Sequence, residues 1–175
     1  MKKLFLILTI SFLSFGQEFE SNLPIISINT GDNEILDATR ITCDMGIIHH
    51  NNKLNNLSDS FNNYNGKISI ELRGSSSQQF FPKKSYSFET QHIDGQNNNI
   101  SLLDLPKEND WILYGPYSDK TLIRNNLTYF LSQEMGNYAP RSKYCELFID
   151  NEYKGVYLLI EKIKRDQNRV NIKEL

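Results

Sequence analysis

The stretch Arg73–Thr90, RGSSSQQFFPKKSYSFET, runs from a glycine and three serines to a paired lysine that opens an alternating apolar run. Successive side chains of a strand face opposite ways, so Lys84, Tyr86 and Phe88 share one face and Lys83, Ser85 and Ser87 the other. Just upstream, KISIELR (Lys67–Arg73) alternates strictly: Ile68, Ile70 and Leu72 on one side, Lys67, Ser69, Glu71 and Arg73 on the other. Two half-buried strands flanking a polar, turn-rich loop predict a β-hairpin. Two lysines at the head of the second strand then divide, one to solvent and one to a cleft.

Outward from this hairpin the chain keeps its β character. Pro24–Ile28 and Ile41–His49 read as strands around a Gly31-Asp32-Asn33 turn, and the asparagine-laden segment 51–65 as a solvated loop. Asp94-Gly95 with Asn97–Asn99 marks a second turn, and Trp111–Tyr114 a short buried strand. Ser118 or Asp119 then caps a helical stripe of Ile123, Leu127, Phe130 or Leu131, and Met135, with Gly136 as its stop. Tyr144–Ile149 and Val156–Ile160 are two more strands, joined by a turn over Asp150–Gly155 and followed by a basic tail. This order predicts an α+β module, mainly antiparallel sheet with one main helix, and no internal repeat.

Composition bounds the function classes. Apolar residues at 39%, charged residues at 23% and aromatics at 11% fit one globular domain, and a net charge of −2 excludes a global field that would recruit nucleic acid or an anionic membrane. Any anion site must be local. Residues 1–17, with Lys2, Lys3, an apolar run to Phe15 and small residues at its end, read as a signal peptide too short to span a bilayer. That predicts a secreted or cell-surface protein starting near Gln17 or Glu18, with no transmembrane segment after removal. Cys43 and Cys145 allow either one bridge or two buried thiols, while His49, His50 and His92 lack zinc-ligand spacing. Asn56, Asn99 and Asn126 are glycosylation sequons, which matter only in a eukaryotic secretory route.

Four segments stand in a telling order: RGSSSQQFFPKKSYSFET, DWILYGPYSDKTLIRNNL, MGNYAPRSKYCELFIDNEYKGVYLLIEKIKRD and NRVNI. Over about residues 24–175 they resemble the CotH spore-coat proteins, a family of secreted or surface-displayed atypical kinases. The resemblance implies the amino-terminal lobe of a protein-kinase-like fold that binds ATP with a divalent metal, Mg or Mn, and phosphorylates serine on surface or coat proteins. In that family the acidic residues that hold metal and act on the hydroxyl lie beyond the basic stretch where this sequence stops. Residues 18–175 are therefore expected to be a kinase-like domain lacking its C-terminal side, either a fragment or a shortened relative, with catalytic residues outside the chain and no metal ligand assigned within it. The alternative function is a non-catalytic surface or coat scaffold that keeps the fold.

Phosphoryl transfer asks for positioned cations and donors around the phosphates more than for covalent help. Gly74 with Ser75, Ser76 and Ser77 offers a permissive backbone and three hydroxyls for an anion-binding turn, Arg73 a planar donor fork, and Lys83 or Lys84 a point charge. Small Ser85 and Ser87 beside Lys83 leave room for a ligand, which favours Lys83 and leaves the choice open. The plainer alternative is a polar loop followed by two solvated lysines. Glu161, closing YLLIE, either serves the phosphate lysine or nucleotide or forms a surface ion pair; Arg124 reaches phosphate or pairs with Asp119 or Asp110; Glu134 is a further candidate partner for the lysine. Trp111 and Tyr114 are expected in the core rather than under an adenine, and Asp119 as a helix cap rather than a metal ligand.

Overall fold

A computed structural model describes residues 18–173, so the expected signal segment 1–17 lies outside the described residues. The elements run β1 (Glu20–Ser21), β2 (Ile25–Asn29), β3 (Ile41–Ile48), β4 (Asn55–Asn56), β5 (Tyr64–Arg73), α1 (Ser76–Phe80), β6 (Ser85–Gln91), β7 (Asp110–Tyr114), α2 (Arg124–Glu134), β8 (Ser142–Ile149) and β9 (Glu152–Glu161). Seven strands close into a barrel in the order β2-β3-β5-β6-β7-β9-β8, while β1 and β4 pair separately. Every barrel pairing is antiparallel except the seam, where Ile25–Ile28 of β2 lies parallel to Glu146–Ile149 of β8.

The α+β class and the mainly antiparallel sheet stand as expected, but closure into a barrel was not legible in the strand pattern. The segment that closes it does carry a signal. β2 is apolar on both faces: Ile26 and Ile28 enter the barrel core, while Ile25 packs outside against Ile48 and Phe148. A strand buried on both faces reads as a continuous apolar run, and closure leaves no edge to protect. Inside, Ile68, Ile70, Phe88, Trp111, Leu113, Tyr157 and Leu159 fill the lumen. Each such side chain contributes about 1.5–3 kcal/mol by leaving water. Cys43 and Cys145 are both free and buried, and burial pushes both thiols up to about 12.

Several local expectations are corrected. The β8–β9 turn is not Asp150–Gly155 but the pair Asp150-Asn151, whose φ values of 50° and 63° give the left-handed backbone that a two-residue hairpin requires. Asp150 also accepts from Thr30 N and Thr30 Oγ1, both at 2.7 Å, which ties this turn to the end of β2. Segment 51–65 is not simply a solvated loop: Asn55 is fully buried, donating to Leu23 O at 2.8 Å and accepting from His50 N at 2.7 Å. The β5–β6 hairpin forms, with Arg73 opposite Ser85, but its loop holds a second helix, α1.

Helix α2 forms over the stretch where the apolar stripe predicts a helix. It starts at Arg124 with Ile123, not Ser118 or Asp119, at the N-cap position; Asp119 Oδ2 instead accepts the Arg124 N–H at 2.8 Å from further upstream, and the helix ends before Gly136 at φ 80°, the stop expected. The apolar stripe, however, faces outward: Leu127 is 47%, Leu131 51% and Met135 78% exposed. Its polar flank turns to the barrel instead. Asn126 Oδ1 accepts from Ser142 Oγ at 2.8 Å, and Tyr129 packs on the outward cluster of Ile112, Leu158 and Ile160. A contiguous exposed apolar face favours association. The purified chain is expected to self-associate, and the double substitution Leu127→Lys/Leu131→Glu to shift it toward monomer in sedimentation velocity. A wild-type chain that sediments as a clean monomer at high concentration would refute this.

Candidate functional site

Outward-facing residues of β7 and β9, covered by α2, make a cleft on the barrel wall. Ile112 and Tyr114 come from β7, Ile160 from β9 and Tyr129 from α2; Arg73, Lys162 and Ile163 stand with them around about 310 Å³. The cleft exists because β7 and β9 pair in register, Ile112 opposite Ile160, so that both put apolar side chains on the same outer face. Arg73 and Glu161 are the members of the expected set that line it. Tyr114, expected in the core, lines this cleft half-buried, whereas Trp111 is fully buried as expected.

Neither lysine lines the cleft, and the division of one to solvent and one to a cleft does not occur. Strand β6 begins at Ser85, after both lysines, so strand alternation does not govern them. Lys83 Nζ donates to Val156 O at 2.7 Å and stands 4.5 Å from the centre of the Tyr157 ring. That approach uses the bare backbone of Gly155, where a Cβ would sit 3.1 Å from the ammonium. Burial lowers the Lys83 pKa, against the raising effect of nearby Cys145 and Glu146. Lys84 Nζ donates to Gln78 O at 2.5 Å and Phe81 O at 2.9 Å, closing the end of α1, while Tyr157 Oη donates to Lys84 O at 2.8 Å. The lysines thus bind the 74–84 loop to the barrel mouth. Gly74, at φ 126°, Ser75, Ser76 and Ser77 are exposed, with Ser76 and Ser77 inside α1 rather than in an open turn.

Glu161 is neither a lysine's partner nor a surface ion pair. It is fully buried, and its carboxylate accepts from Arg141 N (2.9 Å), Arg141 Nε (3.0 Å) and Arg169 Nη1 (2.8 Å), with Arg141 Nη2 also 2.8 Å away. The Arg169 guanidinium lies 4.9 Å from the centre of Trp111. Arg124 takes the structural alternative, 3.5 Å from Asp119 with its side chain 76% exposed. Glu134 ends α2 in solvent.

A polar strip that no single segment of the sequence reveals runs along the outer wall. Arg40 meets Glu71 at 3.0 Å and Glu89 at 2.7 Å; Asp110 meets Lys162 at 2.9 Å and Lys164 at 2.6 Å. Its signal was the outward set of each alternating strand, combined with a register that puts Glu89 opposite Asp110. Burial raises the Glu89 pKa. For Asp110 burial acts the same way, but hydrogen bonds and charge from Lys164 and Lys162 hold it below the usual carboxylate range. Among the described residues no group of three or more His, Cys, Asp or Glu is arranged to hold a metal ion, so the residues present do not fit a resident metal. The apolar cleft with a guanidinium at its rim does fit a nucleotide's base and phosphate chemistry.

The family model described as CotH kinase protein matches residues 70–175, more than half of the chain, beginning within β5 and including the cleft-lining residues named above. No curated protein matches the chain.

Proposed function

Since the chain belongs to the CotH kinase family, we propose that it is the ATP-binding part of an exported protein kinase that phosphorylates serine on surface or coat proteins. The cleft carries this reading. Ile112, Tyr114, Tyr129 and Ile160 offer apolar walls to a purine, Arg73 offers a fork to phosphate, and Gly74, Ser75 and Ser76 continue directly from that arginine. Lys83 and Lys84 follow on the same loop, where a phosphate oxygen is a stronger partner than the carbonyls they now hold. Family membership supports nucleotide use; the exported location rests on residues 1–17 alone.

The test is nucleotide titration together with transfer of radiolabelled phosphate to a serine-containing protein. Arg73→Gln and the better-placed of Lys83→Met and Lys84→Met are each expected to weaken ATP about tenfold or more, the loss of a charge-assisted contact of about 1.5–3 kcal/mol. Unchanged affinity in all three variants would remove this loop from the mechanism. One observation favours the scaffold alternative: both lysine ammoniums already have carbonyl partners. Binding without transfer under conditions that activate a control kinase is the outcome that would select it.

A further inference from the structure

Arg169 is a buried cation whose hydrogen bonding is incomplete. Its side chain has no exposure, and Nη1 donates to Glu161 Oε1 at 2.8 Å and, at 3.3 Å, to Pro106 O and Asn168 O. Nε and Nη2 are buried with no hydrogen-bond partner among the described residues. A buried donor left unpaired carries its full desolvation penalty, larger for a charged group, and stacking on Trp111 offsets only part of it. Such a group points to a missing acceptor.

The surroundings say what kind. Arg169 and Arg141 both line a cavity of about 340 Å³ below the C-terminal end of α2, together with the amides of Gln133, Asn137, Gln167 and Asn168, and no carboxylate lines it. The two guanidiniums share one buried carboxylate, Glu161, which leaves the cluster one positive charge in excess. On the same turn, the Asp166 carboxylate accepts the Asn168 N–H at 2.7 Å. A planar guanidinium presents paired donors that match an oxyanion.

We propose that this cavity is an oxyanion site, in which a phosphate-sized ligand is held by Arg141 and Arg169. It is a separate cavity from the nucleotide cleft, which neither arginine lines, but the two adjoin through Glu161, which lines that cleft and bonds both arginines. Arg141 is the arginine open to the cavity, and occupancy requires the Arg169 guanidinium to turn so that its Nε and Nη2, which have no accessible surface in the present arrangement, meet the ligand.

The experiment is calorimetric titration of the full chain with inorganic phosphate, and in a second arm with acetate at matched ionic strength. Saturable phosphate binding is expected, at least about tenfold weaker in Arg141→Gln and unchanged in Arg124→Gln, whose exposed side chain lies outside the cavity. Saturable acetate binding with the same loss in Arg141→Gln supports the site and assigns a carboxylate as its ligand. Because Arg141 also pairs with Glu161, a second variant, Asn137→Asp, adds a carboxylate at an exposed lining position without removing either arginine, and is expected to abolish binding. No saturation by either anion, or an equal loss in Arg124→Gln, overturns the proposal. ATP titration of the same samples separates the two sites: phosphate binding lost with ATP binding retained concerns this cavity alone.

Discussion

Replacing Glu161 with alanine is expected to lower the unfolding free energy by about 3–5 kcal/mol, enough to consume a large part of a small domain's stability. The reason is what the substitution leaves behind. Arg141 and Arg169 both direct charge at this one carboxylate, and Arg169 has no solvent to turn to. Removing one member of a buried ion cluster strands the others in a medium where charge is poorly solvated. Glu161→Gln, which keeps the shape and one acceptor, is expected to lose less. Urea unfolding followed by fluorescence measures both variants, with Trp111 as the single tryptophan and the ring beneath Arg169. A loss under about 1 kcal/mol in Glu161→Ala would mean that the cluster behaves as a solvated surface pair.

Trp111→Ala is expected to cost a similar amount, about 3–5 kcal/mol, for a different reason. The ring is fully buried in the barrel lumen, and its Nε1 donates to Glu108 O at 3.1 Å, so alanine leaves a cavity and removes one of that carbonyl's two donors, the other being Ile100 N at 3.3 Å. Trp111→Phe keeps an aromatic platform for Arg169 and is expected to lose about 1–3 kcal/mol. Circular dichroism during urea unfolding serves here, since the fluorophore is gone. Because Trp111 and Glu161 both act on Arg169 and pair directly across β7 and β9, the double variant is expected to lose less than the sum of the singles. Strict additivity would show that Arg169 couples nothing between them.

What the amino-acid sequence determined by itself is local, and it was largely legible. The strands around Ile68–Ile70 and Tyr86–Phe88, the hairpin between them, the stop at Gly136 and the buried Trp111 follow from alternation, helix-stop chemistry and side-chain size, which act over a few residues. The tight Asp150-Asn151 turn reads as longer in the sequence because Gly155 has the look of a turn's end, whereas that glycine serves Lys83's approach from a distant loop.

Only the tertiary structure decided which residues meet. Glu161 and Arg169 are eight positions apart yet both bond Arg141 or its partner carboxylate, and Arg73 stands by the cleft of β7 and β9 because only β6 separates β5 from β7 in the sheet. The α2 stripe shows the limit most plainly. Periodicity marks Leu127, Leu131 and Met135 as one apolar face, but whether that face turns inward depends on what the opposite flank can bond. Asn126 and Tyr129 found Ser142 and the Ile112–Ile160 cluster, so the apolar face was left in solvent. A helix's period fixes which residues share a side; the partners available across the fold fix where that side points.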